Sequence, residues 1–125
     1  MATYKDGKLN GDYIRYMSDG TSIFEQGAYK NWVPVGKWEQ FHYTRSGRKV
    51  RTSLKHYDED GSGSLHGEHR EWYDSGKRML SENYINGRRY GEQSNWYPNG
   101  QLHTQGIYEN GKELEGYSYD EEGNL

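Results

Sequence analysis

The sequence predicts an all-β fold: a single elongated, open-ended antiparallel meander of consecutive β-hairpin repeats. Three observations carry this expectation. A unit of about 25 residues recurs along the chain, turn dipeptides punctuate it at regular intervals, and no stretch keeps an apolar period of 3.6 long enough to compete as a helix.

The repeat is clearest in the second half. Gly67-Glu-His-Arg-Glu-Trp72-Tyr73-Asp-Ser-Gly76 is followed by a stretch ending Tyr84-Ile-Asn-Gly87. The same pattern returns as Gly91-Glu-Gln-Ser-Asn-Trp96-Tyr97-Pro-Asn-Gly100 and a stretch ending Tyr108-Glu-Asn-Gly111, without a gap, at a period of 24. Weaker copies open at Gly11 and Gly36, and a truncated one opens at Gly116. The chain thus reads as one domain: a half unit at 1–10, units at 11–35, 36–66, 67–90 and 91–115, and a partial unit at 116–125.

Two aromatic ladders hold the register. Four residues before the Gly of each first turn stands Tyr16, Tyr43, Trp72, Trp96 or Tyr119. Ahead of each second turn stands Tyr4, Tyr29, Tyr57, Tyr84 or Tyr108. Between them lie Asn-Gly and Asp-Gly pairs, the dipeptides that accept positive φ in hairpin turns. If the ladders share a face, a bulge must shift the parity between them, and Gly27 and Gly106 mark expected sites. The second unit carries two extra residues, read as a longer first turn, and a long linker from Asp58 to His66. The first unit replaces its second turn with Asn31-Trp32-Val33-Pro34.

Composition explains why the units must stack. Leu, Ile, Val and Phe number 16 of 125 residues, whereas Phe, Trp and Tyr number 19. An aliphatic core is therefore not expected, and rings should supply most of the buried surface. A lone hairpin cannot offset its own ordering entropy, so neighbours must share ladder bonds and ring contacts. No apolar run is long enough for a membrane span, and the first residues lack the apolar stretch of a secretory leader. With no cysteine, the simplest expectation is a cytoplasmic protein.

Charge is uneven. Residues 1–66 hold 10 basic and 8 acidic side chains, and residues 67–125 hold 6 and 11. The acidic half argues against nucleic-acid binding, which needs a basic face. The one basic cluster is Arg45, Arg48, Lys49 and Arg51, beside an expected hairpin tip. Five scattered histidines offer no metal set; in the pair His66 and His69 nothing fixes both rings toward one ion. No nucleophile elbow, phosphate loop or acid pair stands out, so neither enzyme activity nor a cofactor is expected. Rings outside the ladders are the better lead. Tyr73 and Tyr97 directly follow ladder tryptophans and so point to the opposite face. With Tyr13, Trp32, Tyr90, Trp38 and Tyr117 they suggest a Tyr/Trp contact surface of the kind favoured at protein interfaces.

The pattern Gly-x4-(Trp/Tyr)-Tyr-x2-Gly, followed by Tyr-x-Asn-Gly-(Lys/Arg)-x2-Gly, resembles the MORN repeat (membrane occupation and recognition nexus). It is most similar to the bacterial variant found in antitoxins of toxin–antitoxin systems. The resemblance covers nearly the whole chain and is strongest over residues 67–116. It implies a sheet of successive hairpins and an interaction role: scaffolding, dimerisation, lipid binding or toxin neutralisation. The expected partner is then a protein, a toxin or a host enzyme with a basic surface, as for an immunity protein or a phage-type inhibitor. The alternatives are a MORN-type scaffold or membrane-associated module, which the net charge of −3 disfavours, and self-assembly or a homodimer through sheet edges.

Overall fold

A computed structural model describes residues 2–125. It contains strands and turns only, and every strand pairing is antiparallel. The strands are β1 (Ala2–Lys5), β2 (Lys8–Tyr16), β3 (Ile23–Lys30), β4 (Val33–Tyr43), β5 (Lys49–Tyr57) and β6 (Leu65–Trp72). They continue as β7 (Arg78–Ile85), β8 (Arg88–Arg89), β9 (Gly91–Trp96), β10 (Leu102–Glu109) and β11 (Lys112–Ser118). All belong to one open sheet in sequence order, a meander from β1 to β11, with the two-residue β8 leaving β7 just ahead of β9.

Turn chemistry sets this order locally. Each first turn closes with the glycine N–H donating to the carbonyl three residues back, at Gly20, Gly47, Gly76, Gly100 and Gly123. The two extra residues of the second unit do not lengthen its turn. They extend β4 to 11 residues, and the turn at 44–47 bonds as the one at 73–76 does. The second turns at Asp6-Gly7, Asn86-Gly87 and Asn110-Gly111 have positive φ at both central residues. Asn31-Trp32 adopts the same conformation, with φ of 50° and 71°, so a tryptophan occupies the slot that glycine fills elsewhere. Three of these tips also donate to the preceding unit: Trp32 N–H to Leu9, Gly87 N–H to Leu65 and Gly111 N–H to Arg89.

Bulges recur with the repeat. The register slips opposite Phe24, Thr52, Met79 and His103, each five residues before a second-ladder tyrosine. A second slip recurs where the opening glycines Gly11, Gly36 and Gly67 enter the sheet with positive φ. Gly27 lies in one such slip, but Gly106 pairs in regular register with Gln93 and Gly116.

The two ladders lie on opposite faces. His69 pairs across the strands with Glu82, and Tyr84 donates to Glu82, so these three share one face, here the tyrosine face. Glu71 bonds His69 and lies there too; the next residue, Trp72, therefore points the other way. On that second face Arg51 bonds Glu39 and lies over Trp72, 4.9 Å from the ring centre, and Arg78 lies 4.4 Å over Trp96. A ring in one unit is thus covered by a cation from the unit before it.

The core also departs from expectation. The buried apolar side chains are Leu9, Val35, Trp38, Phe41, Val50 and Leu54, four aliphatic against two aromatic. All lie in the first half, where the repeat is least regular. On the tyrosine face Trp38 packs with Tyr13, Tyr29 and Tyr57 at centroid distances of 5.0–6.4 Å and donates its indole N–H to the Ala28 carbonyl. The ring lies over Gly27, where a Cβ would stand 2.7 Å from Cε3 and nearer still to two other ring carbons. In the second half the buried side chains are polar, His69 and Glu82, beside the buried backbone of Gly106.

Candidate interaction surface

Most of the rings expected to form a contact surface are spent inside the sheet. Tyr13 is part of the Trp38 cluster. Tyr73 donates its hydroxyl to the Trp96 carbonyl at 2.7 Å, and Tyr97 does the same to Tyr119 at 2.8 Å. These two tyrosines are staples between successive units. Of the basic cluster, Arg51 is bound to Glu39 and Trp72, and Lys49 lies 4.1 Å over Phe41. Arg45, Arg48 and Lys49 stand exposed at the tip, and Arg51 is half-buried.

Three of the expected rings stay in solvent: Trp32, edge-on to Tyr4, and Tyr90, each 53% exposed, and Tyr117, 49% exposed. Tyr90 sits at the break between β8 and β9, held by its N–H to the Asn83 carbonyl. Around it the structure gathers apolar residues that the ladders do not predict. Ile85, Tyr90, Ile107 and Leu114 line one open concavity of about 430 Å³, rimmed by Arg88 and Glu109. Leu114 is 53% exposed although Leu9, two residues before the opening glycine in the same way, is 6% exposed. The sequence carries a signal for this: the residue after the second-ladder tyrosine is Lys5, Lys30, Asp58 or Glu109 elsewhere, but Ile85 here.

A buried polar network lies beside this surface, on the tyrosine face of β6 and β7. Glu82 accepts from His69 Nδ1 at 2.7 Å and from the Tyr84 hydroxyl at 2.8 Å through one oxygen. Its other oxygen lies 3.1 Å from Arg89 Nε, near enough for an ion pair but not aligned as a hydrogen bond. Burial alone would raise the Glu82 carboxyl; the bonds from His69 and Tyr84 and the Arg89 charge hold it below its ordinary range. His69 Nε2 faces Glu71 at 2.9 Å, so both its ring nitrogens are engaged by carboxylates. His66 is engaged elsewhere, accepting from the Asn86 N–H, and the two imidazoles do not converge. Arg89, ion-paired to Glu82, lays its guanidinium 5.4 Å over Tyr108, and both residues also line the concavity.

No group of three or more metal-ligating side chains is found among the described residues, and no helix there is long and apolar enough to cross a membrane. No protein-family model matches the chain, and no curated protein matches it.

Proposed function

We propose that the chain is a non-enzymatic protein-binding repeat module that neutralises a partner protein by direct contact, in the manner of an antitoxin, an immunity protein or a phage-type inhibitor. The observation that carries the reading is the exposed set Ile85, Tyr90, Ile107 and Leu114, gathered in one concavity on a sheet whose other large apolar residues are mostly packed. Contiguous exposed apolar surface with a charged rim is how soluble proteins present a partner site. The Glu82 ion pair holds Arg89, one of the residues lining the concavity, which lowers the cost of ordering that side chain on binding. The acidic second half favours a basic partner and speeds encounter with it. The test is affinity capture at native expression, with the wild type and a Tyr90→Ser/Leu114→Ser variant side by side. The reading expects a stoichiometric protein retained by the wild type and lost from the variant, with restored growth where that protein is toxic. Equal capture by both, or none by either, would contradict it.

A further inference from the structure

The exposed apolar row does not stop at the concavity around Tyr90. Ile107 also lines a second, smaller concavity of about 140 Å³ with Tyr117, Glu92 and Glu115. It pairs across the strands with both glutamates, and Gln105 pairs with Tyr117, so all of these share one face. Arg89 pairs with Tyr84 and lies over Tyr108; the two tyrosines therefore share a face, and their neighbours Ile85 and Ile107 share the other. The row thus crosses the sheet from Ile85 on β7 through Ile107 on β10 to Tyr117 on β11, each 40–49% exposed. Other units hold small or polar residues there. The residue before the second-ladder tyrosine is Thr3, Ala28, His56 or Asn83, and the residue after the opening glycine is Asp12, Lys37, Glu68 or Glu92. Glu92, Glu109 and Glu115 flank the row, and among the described residues none of the three forms an ion pair within the chain.

We infer that this row seats a basic amphipathic helix of the partner protein. Direction argues for a helix. The row spans three strand spacings, about 14 Å, and crosses the strands instead of following one. A strand added along β11 would meet Leu114 and Tyr117 and never reach Ile85 on β7. An extended segment laid across the face would hold its N–H and C=O groups over apolar side chains without partners. A helix bonds its own backbone, and about ten residues of it cover that length. Its apolar side chains at i, i+4 and i+7 then follow the row. Charge argues for cations beside that stripe, because three carboxylates line the rim against the single Arg88, Arg89 being held by Glu82. The inference names the contacting element for the partner-binding role proposed above and rests on that reading, though its test needs no natural partner.

The experiment is an NMR titration of the full chain with a short helical peptide that carries leucine at i, i+4, i+7 and i+11 and lysine on both flanks. Three control peptides scatter the leucines, place a proline at the centre, or replace every lysine by glutamate. The helical peptide is expected to bind with Kd of about 10–100 µM, shifting the amides of Ile85, Ile107 and Tyr117 and gaining helical Cα shifts itself. Binding should be at least tenfold weaker for the scattered and proline peptides, and at least threefold weaker for the glutamate peptide and at high salt. Ile107→Ser and Tyr117→Ser, each checked for an intact amide spectrum, should each weaken it at least threefold. Equal binding of the scattered or proline peptide, preference for glutamate, shifts confined to other residues, no binding at about 1 mM peptide, or no effect of either substitution would each overturn the inference. Self-association of the chain through Ile107 and Tyr117 would overturn it as well, giving the row to a second copy. Capture of a partner that Tyr90→Ser/Leu114→Ser abolishes but Ile107→Ser and Tyr117→Ser leave intact would overturn it too, while leaving the broader reading standing.

Discussion

Replacing Gly27 by alanine should cost the sheet far more than the same change at Gly106, although the two glycines hold one position in the repeat. At Gly27 the new methyl enters the Trp38 ring, with Cε3 at 2.7 Å and other ring atoms closer. The indole cannot slide aside, because Tyr13, Tyr29 and Tyr57 surround it and it is only 8% exposed. Overpacking of this kind costs about 1–3 kcal/mol. A displaced ring also forfeits its hydrogen bond to Ala28, about 1 kcal/mol, and edge contacts of about 0.5–1.5 kcal/mol. A loss of about 3–4 kcal/mol is expected. At Gly106 the nearest atoms are the Glu115 carbonyl at 3.1 Å, the Glu113 carboxylate at 3.2 Å and Tyr108 Cε2 at 3.3 Å. The carboxylate can swing into solvent, leaving a cost under about 1 kcal/mol, partly offset by a stiffer unfolded chain. Urea midpoints and thermal melts of both variants measure the difference, which should reach about 10 °C in Tm. Equal losses, or a Gly27→Ala loss below about 1 kcal/mol, would show that the Trp38 cluster does not anchor the first half.

The remaining predictions probe the network, the strained tip and the exposed surface. Glu82→Gln leaves His69 and Arg89 without their shared carboxylate and should destabilise by about 2–4 kcal/mol in urea. Glu82 and Glu39 are both held below the ordinary glutamate range, so their contribution is complete above the unfolded value of about pH 4.3 and is lost as pH falls through their lowered folded values. Melts should accordingly be flat from pH 7 to about pH 5 and fall below about pH 4, less steeply in Glu82→Gln. Trp32→Gly removes a left-handed tryptophan, a conformation that costs about 1–2 kcal/mol, against an edge contact with Tyr4 of about 0.5–1.5 kcal/mol; Tm should stay within a few degrees of wild type. Tyr90→Ser and Leu114→Ser should each change stability by less than about 0.5 kcal/mol while weakening partner capture, because both side chains stand in solvent.

What the sequence reveals here follows the range of the interaction concerned. Asn86-Gly87 and Asn110-Gly111 are legible because the φ requirement of a two-residue hairpin turn is local. The strand order follows once every connection is seen to be a tight turn or short loop. The faces are not legible in the same way. Trp72 and Tyr84 are separated by an odd number of bulged positions, and only the pairing of Glu71 with Leu80 and Trp72 with Arg78 shows where the extra residue goes. Trp32 hides its role for a related reason: nothing in Asn31-Trp32 announces positive φ, and the conformation is imposed by the flanking strands and the bond to Leu9. Tyr73 and Tyr97 look like free surface rings because the carbonyls they bind lie 23 and 22 residues away. The candidate surface was half visible, Tyr90 through its ring, whereas Ile85 and Leu114 stand out only when repeat positions are compared by exposure.

Hydrogen–deuterium exchange on the chain, free and bound to the protein captured with it, addresses the contact surface most directly. Protection gained over residues 85–91 and 107–117, with the amides around Trp38 unchanged, is the outcome that places the partner on the exposed apolar concavity. Protection confined to the first half, or no bound protein to compare, would mean that these residues serve some other purpose.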